Sequence, residues 1–349
     1  MKANGVSDLS SSQMMRSTVL KLQREMSIVQ VQASTGRIAD RGLALGLDSS
    51  VSVNLNQQIQ RLDTIKTLNA NVSARLDTTQ TNLDSIGQIV GDVMQLLVRA
   101  KAPGVDLALI KQSATDALKS MNDKLNTSYN GQFLFAGVNT DVLPVSSDPG
   151  AATATGKLAV DAAFLAEFGF AQDDPAAVNI PKATMDAFLD GTFEALFDDT
   201  NWRASFSSAS DKVVRSRISM SEVIDGSVTA DDPAFREITK ALTMISQLNI
   251  DDLGQATASG VLDKAIGALA KGQTGVIAIQ SRVGSLQSQV KDATERLEIQ
   301  GNSLALNLGS LEDVDPYEMS VRYNSLSTQI ETAYALTSRI KQLGLLKYI

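Results

Sequence analysis

Residues 62–97 read LDTIKTLNANVSARLDTTQTNLDSIGQIVGDVMQLL, and their spacing decides the fold. At alternating steps of three and four, Leu62, Ile65, Asn69, Val72, Leu76, Thr79, Leu83, Ile86, Val90, Val93 and Leu97 put nine apolar side chains at eleven positions, in a chain that is 43% hydrophobic. That repeat matches the helical turn, so the stripe is one face of an α-helix about 45 to 70 Å long. A helix of that length needs a partner along its whole seam.

The partner lies near the other end of the chain. Val276, Ile279, Val283, Leu286, Val290, Ala293, Leu297, Gln300, Leu304, Asn307 and Leu311 repeat the pattern, again with nine apolar of eleven. Shorter seams stand outside both: Met15, Val19, Leu22, Met26, Val29 and Ala33 at the start, and Leu326, Ile330, Ala333, Leu336, Ile340 and Leu343 at the finish. Water penalises each exposed stripe at roughly 25 cal/mol per Å² of apolar area, so the simplest arrangement pairs the beginning of the chain with its end. Four polar seam residues, Asn69, Thr79, Gln300 and Asn307, either fix helix register or mark places where the seam opens to water.

Punctuation divides the helices. Ala102, Pro103 and Gly104 end the long helix, and a further one carries Leu107, Ile110, Ala114, Met121 and Leu125. Asp315-Pro316-Tyr317-Glu318 reads as an N-cap, a proline in the first turn and a capping-box glutamate; Asp232-Pro233 starts a helix through Phe235, Ile238, Leu242 and Ile245. Between about 139 and 232 the heptads vanish. Candidate strands at Trp202–Ser207 and Val213–Ser219 and a helix around Met185–Phe197 suggest a separate unit. The expectation is a mainly α protein, a long antiparallel helical bundle or coiled coil of the N- and C-terminal segments with an inserted small α+β domain. Its divisions would be 1–40 with 310–349 as a terminal coiled coil, 41–138 with 232–309 as a helical-bundle shaft, and 139–231 as the outer insert.

Composition narrows function. Aromatics make up 5%, which favours interlocking helices over a sandwich or barrel, and the formal charge of −8 argues against a nucleic-acid or anionic-lipid partner. The chain has no cysteine and no histidine, so thiol nucleophiles, disulfides, the usual zinc sites and the commonest general base are all excluded. No phosphate-binding, dinucleotide-binding, nucleophile-elbow or calcium-loop motif occurs, and no cofactor, metal or catalytic residue is expected. The pairs Asp173/Asp174, Asp198/Asp199, Asp231/Asp232 and Asp251/Asp252 read as helix caps and solvated turns. Trp202, with Arg203 and Phe206, reads as core of the insert, and Phe133 and Phe135 as one face of a strand. Met1–Ser12 lacks the apolar core of a secretory signal, and no run of 18 apolar residues offers a membrane span.

Several segments resemble the bacterial flagellin family and, within it, the FlgL type of hook-filament junction (hook-associated) protein. Ser10–Met14 leads into Ala33-Ser34-Thr35-Gly36-Arg37-Ile38, similar to the turn that closes the family's first helix. Asn130-Gly131-Gln132-Phe133-Leu134-Phe135-Ala136-Gly137 resembles a segment typical of junction proteins, and it sets the subtype. Ser281–Gly284 and Ser310–Asp315 resemble the family's C-terminal helices. Two departures are plain: Ala39–Gly46 lacks the Asp-Asp-Pro common after the first turn, and the chain ends Leu345-Leu346-Lys347-Tyr348-Ile349 rather than Leu-Leu-Arg.

The resemblance implies a structural subunit of the flagellum, extracellular, exported unfolded through a type III channel without a cleaved signal peptide, and assembled into a ring or helical layer of identical copies. Its partners would be other axial proteins (a hook-associated protein and flagellin) and an export chaperone. It also implies that the terminal segments line the tube while the insert faces outward. A filament flagellin is the alternative within the class. From another class, a cytoplasmic coiled-coil scaffold or signalling protein would share the heptads but keep its isolated ends helical.

Overall fold

The computed structural model describes the backbone of residues 3–102 and 104–345, with side chains at 10, 13–102 and 104–339. The fold is mainly α, and the chain forms two compact units: a terminal unit of residues 1–64 with 297–349, and a central unit of residues 65–296.

The terminal unit holds α1 (Ala3–Thr35), the short α2 (Arg41–Leu45), a 3-10 turn (Gly46–Asp48), the first part of α3 (Ser49–Ala100), the last part of α10 (Gln255–Glu312) and α11 (Pro316–Leu345). Helices α1 and α11 pack against each other. Met15 meets Thr337, Gln23 meets Tyr334 and Arg37 bridges Asp313, so the pair is antiparallel. Its seam centres on Val29, Met319 and Leu326, with Leu22, Met26, Ala33, Val314 and Tyr323 packed around them. Asp315 caps α11 as its sequence suggests, accepting from the Tyr317 N–H at 2.8 Å.

The seam of α11 differs at one expected position. Leu336 is 47% exposed, because the buried face steps from Ile330 by three and four to Ala333 and Thr337. Thr337 tolerates that place by donating to the Ala333 carbonyl at 2.7 Å, which satisfies its hydroxyl locally. The side chains of Ile340 and Leu343 lie outside the described residues. Along the end of α10 the expected series slips by one residue after Leu297: Leu308 is buried, whereas Gln300 and Asn307 are exposed. Those two polar residues therefore sit outside the seam.

The central unit begins with the rest of α3 and α4 (Leu107–Leu125), followed by a hairpin of β1 (Ser128–Tyr129) and β2 (Gln132–Phe133). Helices α5 (Thr155–Phe168), α6 (Lys182–Asp190), α7 (Thr192–Ala195) and α8 (Asp199–Ser205) follow, with a 3-10 turn at Pro175–Asn179. A second hairpin of β3 (Arg215–Arg217) and β4 (Val223–Asp225) precedes α9 (Pro233–Gln247) and the start of α10. Both hairpins are two-stranded and antiparallel. Asp106 and Asp232 cap α4 and α9 by accepting from Ala108 and Ala234 N–H groups. A single cluster runs from Leu76 on α3 through Ile110, Phe164, Trp202 and Ile238 to Ala293 on α10.

Three local expectations change. Trp202–Ser207 is not a strand: Asp199–Ser205 is helical, and the turn stacks Trp202 on Phe206, ring centroids 5.4 Å apart, four residues on. The helix expected around Met185–Phe197 is two helices separated at Gly191. Phe133 and Phe135 do not share a strand face. Strand β2 stops at Phe133, which is half-buried, and both Leu134 and Phe135 are fully buried.

Candidate assembly surface

Helix α1 closes where its last turn needs a left-handed residue. Ser34 and Thr35 return their hydroxyls to the Val31 carbonyl, and Gly36, at φ +69°, donates its N–H to the Gln32 carbonyl at 2.8 Å. The Gly36 carbonyl then accepts from Val314 N–H at 2.9 Å, and Ile38 N–H donates to the Glu312 carbonyl at 2.8 Å. Two backbone bonds thus join the segment just after α1 to the end of α10 and the link into α11.

Below them sits a buried carboxylate. The Glu312 side chain is wholly buried and accepts from the Ser52 hydroxyl; Arg41 approaches it at 3.2 Å and Arg37 at 3.8 Å. Both arginines are half exposed, but the carboxylate they face is wholly buried, so solvent reaches only one side of each pair. A reading of apolar seams passes over Glu312 and Ser52, although Glu312 follows Leu308 by one helical turn and so falls on the buried face.

Of the expected terminal seam, Val19, Val29, Leu326 and Ile330 are buried, and Met15, Leu22 and Met26 are half-buried. Some apolar side chains lie outside that seam, among residues that are mostly polar. Leu20 and Ile28 on α1 and Tyr317 and Val321 on α11 are exposed, and Leu43 and Leu47 are 85% and 94% exposed. These exposed apolar side chains are the candidates for contact with other molecules.

In the central unit Leu76, Leu83, Ile86, Val90, Val283 and Val290 are buried and Leu286 is half-buried; Leu297, further along the same series, is buried in the terminal unit. Asn69 is fully buried and donates to the Ile218 carbonyl at 2.9 Å and to the Thr294 hydroxyl at 3.0 Å, tying α3 to α10 and to the end of β3. Thr79 only returns its hydroxyl to the Arg75 carbonyl.

Three positions of the 130–137 segment are fixed by backbone geometry. Asn130 and Gly131, at φ +50° and +77°, make the two-residue turn of the β1–β2 hairpin, where both central residues need positive φ. Arg75, its guanidinium pKa pushed down by burial, holds that hairpin through Gln132 and the Phe133 carbonyl. The Phe135 ring meets Phe235 edge-on at 5.8 Å, and its carbonyl accepts from Ala230 N–H at 2.7 Å. At Gly137, φ +64°, a Cβ would lie 2.5 Å from the Lys212 carbonyl oxygen and 2.6 Å from that of Ser210.

The acidic pairs are structural. Asp174 and Asp232 cap helices, Asp251 pairs with Lys111, and Asp231 takes Arg203 at 2.6 Å. Asp231 raises the Arg203 pKa, and Arg236 lowers that of Asp199 by hydrogen bonding and by charge. Among the described residues no three acidic side chains converge as metal ligands, and no helix is long and apolar enough to cross a membrane.

Comparison with known proteins agrees with this arrangement of ends. A model of the bacterial flagellin N-terminal helical region matches residues 6–140, and one of the bacterial flagellin C-terminal helical region matches residues 262–349. No curated protein matches the chain. A solved structure from Vibrio parahaemolyticus, described as a flagellar hook-associated protein, is similar with a TM-score of 0.52 and 11% identity, over 76% of this chain and 97% of that one. At that identity the likeness is one of fold. Together the two family matches span more than half of the sequence, at its two ends, and the chain therefore belongs to the bacterial flagellin family, structural proteins of the flagellum.

Proposed function

We propose that this chain is a hook-filament junction protein. It is exported through the flagellum's own type III channel without a cleaved signal peptide, kept from premature assembly by an export chaperone, and assembles with copies of itself into a ring layer. That layer contacts a second hook-associated protein on one side and flagellin on the other. Met15, Val19, Leu22, Met26, Val29, Leu326 and Ile330 form the seam that pairs the ends within a subunit.

The observation that carries this reading is the antiparallel α1–α11 pair, joined at one seam, with Leu20, Ile28, Tyr317 and Val321 left exposed outside it. A helix pair with one narrow seam gains little beyond its ordering entropy, so docking against neighbouring copies completes it. The junction subtype is supported by the Asn130–Gly137 segment. Immunolabelling of isolated hooks tests the placement, with label expected as a band at the distal hook end. Deletion of the gene should leave hooks that shed flagellin monomers. Normal filaments after deletion would refute the proposal.

A filament flagellin is the second reading, favoured by both family matches being to flagellin itself. Seeded polymerisation of the purified chain into long filaments would establish it instead.

A further inference from the structure

Helix α9 is almost entirely buried, and one of its buried stripes is polar. Phe235, Ile238, Leu242 and Ile245 make the apolar side. Thr239, Thr243 and Gln247, one turn apart, are 5%, 0% and 7% exposed. Neither threonine hydroxyl has a hydrogen-bond partner among the described residues. Other helical threonines of the central unit behave differently. Thr79, Thr115, Thr274 and Thr294 each return the hydroxyl to the carbonyl four residues back, at 2.8 to 2.9 Å. That bond is within reach of any threonine inside a helix, so hydroxyls that forgo it point elsewhere.

Thr239 and Thr243 line a cavity in the central unit together with Trp202 and Phe206. Trp202 is 1% exposed, and its indole Nε1 is also unpartnered. Burying three such groups is costly unless something satisfies them. The enclosed space is about 20 Å³. A water needs at least about 10–15 Å³ of such space, so the cavity has room for one. By the rise of the helix the two threonines stand about 6 Å apart along its axis, and a water between them reaches both with hydrogen bonds of about 2.8 Å.

The chemistry of the lining agrees. The indole N–H only donates, so a cation is the wrong partner for it. Lys157, the charged residue on the lining, is held by both oxygens of Asp161 at 3.0 Å, so nothing there draws an anion. Water donates and accepts. We infer that one ordered water is bound in this cavity, accepting from Trp202 Nε1 and from one of the two threonine hydroxyls and donating to the other. It joins α8 to two successive turns of α9 inside the central core, independently of the role proposed above.

Trp202 is the only tryptophan in the chain, so the ¹⁵N-labelled full chain has a single indole N–H resonance, assigned without ambiguity. Water-selective NOE and ROE spectra are recorded on it. The expected result is a cross-peak from water to that proton, opposite in sign in the two spectra, as a held water gives; hydrogen exchange with solvent gives the same sign in both. Absence of the cross-peak, or the same sign in both spectra, overturns the inference on the unmodified chain alone. Thr243→Val supplies an independent sign. If the hydroxyl binds water, the variant should unfold at a lower denaturant concentration; if the cavity is dry, the isosteric methyl removes an unsatisfied group and the midpoint stays or rises, which overturns the inference. Thr239→Val, read the same way, replaces the first variant should that one alter the circular dichroism spectrum.

Discussion

The two units of this chain are held together by different means. In the central unit the buried apolar side chains from Leu76 to Ala293 form one contiguous cluster, with Phe135, Phe164, Phe188, Phe193 and Phe235 all fully buried. In the terminal unit the corresponding cluster is Val29, Met319 and Leu326 with five partly buried neighbours. Helices of 33 and 30 residues thus share a seam about one side chain deep. The central unit holds a broad, contiguous core, whereas the terminal unit has a narrow one and leaves Leu20, Ile28, Leu43 and Leu47 exposed. Within one chain, a broadly packed body is continuous with thinly packed ends.

The sharpest way to break that contrast is to truncate one core side chain in each unit. Phe235→Ala should cost about 3–5 kcal/mol in chemical unfolding followed by Trp202 emission, since it removes a fully buried ring from a packed core. Val29→Ala, also at a buried position, should leave that transition where it was and abolish ordered assembly on hook ends. Equal shifts in the two variants would mean that the units unfold together and that the contrast is wrong.

Gly137→Ala probes the central unit's backbone. With φ at +64° and two carbonyl oxygens within 2.6 Å of the new Cβ, it should destabilise the fold by about 1–3 kcal/mol, read as a lowered melting temperature. In the terminal unit the equivalent test is Glu312→Gln. The amide keeps the volume but gives up the charge that Arg37 and Arg41 face, and a charged hydrogen bond of this kind is worth about 1.5–3 kcal/mol. Faster hydrogen exchange at the Ile38 and Val314 amides is expected, with the Trp202 transition unmoved. Unchanged exchange at both amides would remove the carboxylate from any part in joining the ends.

How far the sequence alone foretold this depends on how local the cause is. The buried side chains of the long seams, as far as Leu297, follow a periodic signal repeated over many turns, and Asp232-Pro233 and Asp315-Pro316 mark helix starts by chemistry confined to a few residues. Trp202–Ser207 misled because an aromatic next to small polar residues suits a strand as well as a helix; tertiary stacking on Phe197 and Phe206 settled it. Leu336 misled for a related reason: a leucine one step from Thr337 is the more apolar choice, and only the facing helix decides which of them turns inward. Glu312 and Ser52 lay beyond a search for apolar periodicity, since a buried ion pair on a seam has the same spacing as a leucine but the opposite polarity. The polar face of α9 was hidden likewise, as Thr239, Thr243 and Gln247 look like an ordinary solvated stripe until the surrounding helices cover them.

The smallest expected effect separates the two carboxylate–arginine networks. Asp199, exposed to solvent in the central unit, has its pKa held below the ordinary carboxylate value by its hydrogen bond and charge interaction with Arg236. A depressed folded pKa means that the unfolded chain takes up the proton first. The contribution is therefore complete above the ordinary carboxylate pKa and fades as pH falls through the lower, folded one. Asp199→Asn should make unfolding slightly easier at neutral pH and converge with the parent protein on acidification. Because the carboxylate is exposed, the difference should also shrink in high salt. Wholly buried, Glu312 should resist screening, so the effect of Glu312→Gln on amide exchange should persist at the same salt concentration. If salt erased both effects equally, burial of Glu312 would not be what distinguishes the joint at the chain's ends from the surface pairs of the central unit.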